Sequence, residues 1–504
     1  MYTTFFGFIL STFLGLLIVC LFAILVLKRR NTGRKLPGPA WVPLVGNRRE
    51  LKSDPDMRVS LRRLQDKYGD IYQLYLGPIP VIVVCGYEAI REMFIKRGIE
   101  FSDRPAASLP IILLTGGKGV SFTSGDAWKN QKKFVLETLR NFGFGKSTLE
   151  YKIHMEVNLF LSEIAKQNQA PFRMMSIIAT SVGNVISHLV FGGHFSYEDA
   201  RFKTMADAFS SFMRFISIGS PVLFLPILRF IPGDLFGIKI ITRKLQVVRG
   251  FVNELIDEHI QKFDEENIED FIDAFISEMK KVDKRDSKSI FTREYLVAIV
   301  MDLFLAGTET TSTTFTWASF YLASRPDIQN RIFEEINENI GTEKLPSIQD
   351  KKNLVYTEAF IMEVLRISST VILSVAHAPV TDVCIRGYRI PKGIRILPDI
   401  HSVLSDPKVW GDPENFRPER FVNEDGKLIK PDEFIPFFTG KRKCLGASMA
   451  QMELFLFISA LVQRFELKPP EGKTLDIKDV DGVCGGTHSP KPFYIRAIPR
   501  RVQA

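Results

Sequence analysis

The sequence predicts a mainly α-helical body with a small β region, tethered at its amino end by one membrane-spanning helix. Three observations carry this. Helical periodicity dominates from about Tyr87 to Ser347. Strand-like pieces are short and flank it, at Ile71 to Gly86 and at Val383 to Gly393. An uncharged apolar run, FFGFILSTFLGLLIVCLFAILVL, stands at Phe5 to Leu27.

That run is about 23 residues, enough to cross roughly 30 Å of hydrocarbon as a helix. KRR follows at once and nothing basic precedes it, so the positive-inside rule leaves the rest of the chain on the cytoplasmic side. A cleaved signal peptide fits poorly: the run is too long, with no basic n-region and no small-residue cleavage site. LPGPAWVPLVGN, Leu36 to Asn47, comes next, its prolines stiffening the exit and blocking helix continuation. The expected organisation is an anchor with stop-transfer basic residues over 1–30, a proline-rich hinge over 31–47 and a single domain over 48–504. Length alone suggests more domains. No Gly/Ser-rich linker, low-complexity tract or internal repeat divides the chain.

At 504 residues, 45% hydrophobic and 24% charged, the chain has ample material for a core and is not a disordered one. A formal charge of +9 suits an anionic membrane surface or an acidic partner protein. Nucleic acid is the weaker reading, since no zinc-finger or aromatic–basic recognition motif is present. Cys20, Cys85, Cys384, Cys444 and Cys484 are scattered without a C-x-x-C pair, so no zinc site is legible. An odd count without a dense framework points to reduced thiols.

IYQLYLG and IPVIVVCG read as two strands around Gly77-Pro78, a short hairpin. The longest helical pattern, Arg293 to Pro326, would run about 50 Å. It is a core strut or a second span, and Asp302, Glu309 and a hydroxyl cluster argue against the span. Within AGTETT, Ala306 to Thr311, the small Ala306 and Gly307 leave room beside the helix. Mid-helix threonines bond back to carbonyls and bend it, and a local opening there suits dioxygen and a water. Glu309 and Thr310 are neighbours and cannot face one point. One is expected to face the reaction, the other to reach toward solvent. A threonine-rich buried turn explains the same residues without any chemistry.

FFTGKRKCLGASMAQMELFLF, Phe437 to Phe457, sets Cys444 between a basic glycine-containing loop and the start of an apolar helix. A buried, inert thiol is the plain reading. The sharper one is a thiolate, its pKa lowered by helix amides and by Lys441, Arg442 and Lys443. That setting suits one metal whose other ligands are not protein, and haem is the obvious candidate. Gly440 and Gly446 would then let the backbone approach a porphyrin, and Arg442 would reach a propionate.

This stretch resembles the cysteine-ligand loop of the cytochrome P450 superfamily, Phe-x-x-Gly-x-Arg-x-Cys-x-Gly, matched at Phe437, Gly440, Arg442, Cys444 and Gly446. The resemblance extends from the anchor to the last strand and is strongest to animal microsomal members of the second clan. It implies the P450 fold and haem b with Cys444 as axial thiolate. It makes AGTETT the oxygen-activating helix, with Ala306 and Gly307 beside the haem and Thr310 and Glu309 delivering protons. Glu363 and Arg366 of EVLR and Arg420 of RPERF would form a buried network holding the cysteine loop. Trp128 and Lys132 of WKNQKKF and His377 of SVAHAPV would meet haem propionates, with Lys118 a further partner. Lys132 stands where the family has arginine, so the bidentate fork is lost; related sequences have Pro-His where Ala376-His377 stands here.

The activity implied is monooxygenation of a hydrophobic small molecule such as a steroid, fatty acid, terpenoid or xenobiotic. NADPH electrons would come from a membrane-bound flavoprotein reductase, since the chain has no Rossmann or flavin fingerprint. The location implied is the endoplasmic reticulum membrane, single-pass, with the catalytic domain on the cytoplasmic face. Gly219 to Gly237 resembles a membrane-dipping loop in contact with lipid. Alternation in an extended loop would send Lys441 and Lys443 outward, to join Lys132 and Lys133 in a patch for the reductase. Two rivals stand beside this reading. A haem-thiolate isomerase or dehydratase needs no reductase electrons, and the intact AGTETT argues against it. A non-enzymatic haem ligand-binding protein lacks any appended signalling domain.

Overall fold

The computed structural model describes residues 35–500 apart from 55, 145–146, 217–220, 224 and 283–288. The anchor expected over 1–30, the first residues of the hinge, and part of the segment from 219 to 237 lie outside the described residues. The principal helices, in chain order, are α1 (Gly125–Asn141), α2 (Ser147–Ala165), α3 (Met174–Val190), α4 (Ala200–Phe215), α5 (Ile238–Lys262), α6 (Arg293–Ser324), α7 (Pro326–Asn339), α8 (Val355–Ser368) and α9 (Ala447–Arg464). The expectation of a mainly helical body with a small β region holds.

Helix α6 organises the packing. Its 32 residues show no single apolar stripe and are buried on every side, the pattern of a helix in the middle of a core. Among the described residues it alone is long and apolar enough to cross a membrane, yet 78% of its most apolar window is buried in the protein. It is the core strut. Pro326 disfavours the helical conformation at Arg325, which sits at φ −126°, ψ 75° and ends the helix. α3 packs along α6, and at Gly307 the two come so close that a Cβ would lie 2.6 Å from Ile186 Cδ1. On another side, Phe160 of α2, Phe315 of α6 and Phe457 of α9 meet edge to face, with ring centroids 5.3–6.4 Å apart. Each such pair adds about 0.5–1.5 kcal/mol beyond area burial.

The β region is small. Strands β1 (Ile71–Leu76) and β2 (Ile79–Val84) form the expected antiparallel hairpin across Gly77-Pro78, pairing Ile71 with Val84 and Leu76 with Ile79. β3 (Val383–Ile385) and β4 (Tyr388–Ile390) form a second hairpin. Arg386 and Gly387, both at positive φ, close it, the two-residue turn whose twist matches its strands. β5 (Arg395–Pro398) adds parallel to β2, giving the order β1-β2-β5.

The Glu363–Arg366–Arg420 network is present. Arg366 donates to Glu363 at 2.7 and 2.8 Å, and Arg420 donates to it at 3.0 Å. The three side chains are 0, 1 and 5% exposed respectively. It joins α8 to the 3-10 turn Pro418–Phe421, a few turns of chain before the cysteine loop.

Candidate functional site

A cavity of about 320 Å³ lies between α1, α3, α6 and the loop before α9. Its volume is at the lower end for small-molecule pockets, and its walls are largely apolar. Cys444, Arg442 and Phe437 line it from the loop, Trp128 and Lys132 from α1, and Ala306, Gly307 and Thr310 from α6. Residues distant in sequence are thus brought to one space.

The cysteine loop is closed by the Cys444 amide, which donates to the Phe437 carbonyl at 3.1 Å. Gly440 is at φ +74°, and a Cβ there would overlap the Phe94 carbonyl oxygen. The glycine is therefore required by a neighbouring backbone, not by a porphyrin as expected. Gly446 does border the cavity, and a Cβ on it would meet nothing within 4 Å. Cys444 is accessible although it lies deep in the molecule, because its free surface opens into the cavity.

The expected lowering of its pKa does not hold. Burial pushes the Cys444 thiol up, outweighing the Gly446 amide and the Lys443 charge. A bound metal cation would favour the thiolate against this desolvation. The loop is also not extended: Gly440–Arg442 is a 3-10 turn. Lys441 and Lys443 are nonetheless exposed and Arg442 half-buried.

Three cationic groups line the same cavity as the sulfur. The Arg442 guanidinium stacks 3.7 Å from the Trp128 ring centroid and donates to the carbonyls of Ser102, Val120 and Thr123. Burial pushes it down to about 9. Lys132 Nζ donates to the Lys441 carbonyl at 2.8 Å, and burial with the Arg442 and Lys441 charges lowers it. Arg104 lines the same wall and donates to the carbonyls of Ser121, Val375 and Ala376, each at 2.9 Å. Burial, aggravated by Arg442, drives it well below its ordinary value. Among the described residues, none of Arg104, Arg442 and Lys132 has a carboxylate within salt-bridge distance, 4.0 Å.

His377 is not a surface histidine. It is 1% exposed, held by a backbone pairing with Ile396 of β5 and by its Nδ1 contact to the Phe101 carbonyl at 2.9 Å. Burial and the Arg104 charge press its pKa well down, so the ring is neutral. Its Nε2 is buried without a partner, although the ring does not line the cavity. Lys118 lies over the Tyr295 ring instead and does not line it either.

This donor set fits haem. A sulfur faces the space, and three half-buried cations at its wall make no ion pair within 4.0 Å among the described residues, where two carboxylates would bring them.

On α6 the expected back-bonding of threonine hydroxyls to carbonyls is present. The helix is continuous through AGTETT, with Thr310 Oγ1 donating to Ala306 O at 2.6 Å and Thr314 Oγ1 to Thr310 O at 2.9 Å. Gly307 borders the cavity and also lets Ile186 approach the helix closely. Thr310 faces the cavity. Glu309, one step of about 100° around the helix, is buried and accepts from Ser210 of α4 at 2.6 Å rather than reaching solvent. Burial raises its pKa against the opposing Ser210 bond and Arg214 charge.

Two site residues escaped the sequence reading. Arg104 stands alone before a proline, and nothing local marks it. Asp302 entered only as an argument against a membrane span. It lines the cavity, accepts from the Ser121 amide at 3.0 Å and is raised by burial to about 7. An acid inside an otherwise apolar helical run was the available signal.

A family model described as cytochrome P450 matches residues 36–496. The chain is 38% identical over 501 residues to cytochrome P450 2U1 of Homo sapiens, covering 94% of this chain and 91% of that protein. It is 37% identical over 478 residues to cytochrome P450 2C23 of Rattus norvegicus, covering 94% and 95%. It is 35% identical over 500 residues to cytochrome P450 2H1 of Gallus gallus, covering 97% and 100%.

Proposed function

Because the chain belongs to the cytochrome P450 family, and is thus a monooxygenase carrying haem b on a cysteine thiolate, we propose that Cys444 is that thiolate. We infer further that the apolar cavity takes a hydrophobic small molecule of the steroid, fatty acid, terpenoid or xenobiotic kind. One observation carries the reading: Cys444 and Thr310 face a single apolar cavity whose cationic wall has no paired carboxylate.

When bound, haem supplies the chemistry of dioxygen reduction and insertion of one oxygen atom into substrate. The chain's own residues do the rest. Cys444 Sγ would hold the iron, and Arg104, Arg442, Lys132 and Trp128 would hold the propionate side. Ile186, Leu189, Val190 and Leu303 offer the substrate apolar contact and exclude water. Thr310 holds a hydroxyl at the cavity, the position from which a proton reaches the reacting oxygen. Glu309, its pKa raised by burial and its carboxyl group accepting from Ser210, would serve the same proton supply.

Electrons would come from an NADPH-dependent flavoprotein reductase steered to the exposed Lys133, Lys441 and Lys443. The protein would sit on the endoplasmic reticulum membrane through residues 1–30, the catalytic domain cytoplasmic. The exposed Ile227, Phe230 and Leu235, each at least 70% accessible, would touch lipid. The test is the carbon monoxide spectrum of the reduced protein, with turnover measured with and without NADPH and reductase. The far-red-shifted Soret band of a thiolate ligand is expected, and Cys444→Ser should abolish it. A band retained in that variant, or product formed without reductase, refutes the reading.

A further inference from the structure

Away from the cavity, three metal-ligating side chains from separate parts of the chain converge. Glu156 projects from α2, His188 from the last turn of α3, and His194 from the loop that leads toward α4. Their ligand atoms all lie within 4.8 Å of one another. Glu156 and His188 are buried, at 1% and 8% exposure, while His194 is exposed. We propose that Glu156, His188 and His194 form a binding site for one divalent transition-metal ion of the zinc class.

The donor set is two imidazoles and one carboxylate, which suits zinc with a fourth position left to water. Glu156 Oε1 is 3.0 Å from His188 Nε2. A tetrahedral ion at about 2.0–2.2 Å from each ligand sets ligand atoms about 3.3–3.6 Å apart. His194, at an exposed position, would close the remaining distance by side-chain rotation.

The surroundings are built for the same purpose. Asn184 Nδ2 donates to Glu156 Oε2 at 3.2 Å and to the Phe195 carbonyl at 2.9 Å. Its Oδ1 accepts from the Phe195 amide at 2.9 Å. One buried amide thus orients the ligand carboxylate and fixes the backbone beside His194, the arrangement by which outer residues tune a metal site. Lys152, one turn before Glu156, donates to the His188 carbonyl at 3.2 Å and braces α2 against α3. A plain Glu156–His188 pair would account for two of these residues. It leaves unexplained why Asn184 also locks the loop that carries a second imidazole to the same point.

A second cluster, His259, Asp270 and Asp273, does not compete. Asp270 accepts the Asp273 amide at 3.0 Å and caps the helix Phe271–Lys281. His259 bonds Asp270 at 2.8 Å and the Leu255 carbonyl at 2.7 Å, and its pKa rises to about 9. Both His259 ring nitrogens and the Asp270 carboxylate are thus already engaged within the protein.

The consequence reaches the active cavity through α3. Ile186 and Val190 line that cavity, and His188, two residues from each, lies about 200° around the helix on the other face. An ion there would tie α2, α3 and the following loop together behind a wall of the substrate site.

The test uses the full-length holoprotein in detergent. Equilibrium dialysis against Zn²⁺ with metal counting by mass spectrometry gives stoichiometry and affinity, and far-UV circular dichroism follows thermal unfolding. One zinc per chain is expected, with a raised unfolding temperature. His194→Ala, at an exposed position, should weaken binding at least about tenfold and abolish the thermal shift without changing the haem spectrum. Glu156→Gln should do the same to zinc, and His259→Asn should leave binding intact. Absence of bound zinc, unchanged affinity in His194→Ala, or loss of binding in His259→Asn instead overturns the proposal.

Discussion

Replacing Glu363 by glutamine keeps its volume and removes its charge. The carboxylate accepts from Arg366 at 2.7 and 2.8 Å, from Arg420 at 3.0 Å and from the Arg417 amide at 3.0 Å. In Glu363→Gln one acceptor becomes an N–H group aimed at a guanidinium. Arg366 still bonds the carbonyls of Leu404 and Pro413, and Arg420 still bonds that of Trp410. The two cations therefore stay hydrogen-bonded, but their buried charge loses its shared counter-ion. Breaking one buried pair costs roughly 3–5 kcal/mol, and here two pairs share one carboxylate, so the upper end applies. That is a third or more of a typical total stability of about 5–15 kcal/mol.

Urea unfolding followed by far-UV circular dichroism reads the loss, with carbon-monoxide-reactive haem per chain as a second measure. At an m-value near 3 kcal/mol/M, the midpoint should fall by about 1 M or more. Glu419→Gln is the control. Its ion pair with Arg331 is about half exposed and is worth about 0–1 kcal/mol. A Glu363→Gln midpoint within about 0.3 M of wild type, with full haem loading, would refute the network as a structural support.

Three further outcomes are expected. Thr310→Ala should bind haem and substrate as wild type while product per NADPH falls roughly tenfold or more and peroxide rises, in keeping with the size of proton-transfer effects; unchanged coupling would leave Thr310 a packing residue. Gly440→Ala, at φ +74° against the Phe94 carbonyl, adds about 1–2 kcal/mol of left-handed strain to the overlap. The fraction of carbon-monoxide-reactive haem should drop with little change in helix content, and normal loading would contradict the close approach. Asp302 is raised by burial from 3.8 to about 7, so between those values the folded chain holds a proton that the unfolded chain has lost. Its contribution to stability therefore falls as pH rises through that window, by roughly 1.4 kcal/mol per unit. Asp302→Asn has no such loss, and its urea midpoint should gain on wild type from pH 4 to 7; a constant gap would mean that Asp302 does not titrate there.

The elements that local sequence controls were legible. The hairpin at Gly77-Pro78 follows from two apolar strand runs around a turn dipeptide, and α6 stops where Pro326 makes it stop. The cysteine motif identified the loop, and EVLR with RPERF identified a network that the structure closes through Glu363. Each of these depends on residues close in the chain, or on a pattern fixed by the resemblance.

What a side chain meets across the molecule was not legible. Gly440 and Gly307 were both read as making room for a ligand. Tertiary structure sets Gly440 against the Phe94 carbonyl, and Gly307 against Ile186 while it also lines the cavity, because a glycine reports that something comes close without saying what. One of Glu309 and Thr310 was expected to reach toward solvent; helix phase separates them by about 100°, but only the packing of α4 decides that the Glu309 direction is buried against Ser210. For Cys444 the sequence showed the cations and the helix amides that favour a thiolate, and not the desolvation that outweighs them. Arg104 is the clearest case. In the sequence it is one of 66 lysines and arginines, and it joins the cavity wall only because the fold brings Ser121, Val375 and Ala376 to its guanidinium. Covalent order determines which residues are helical, extended or turning. The sign and strength of their chemistry depend on burial and on distant neighbours, and those exist only once the chain has folded.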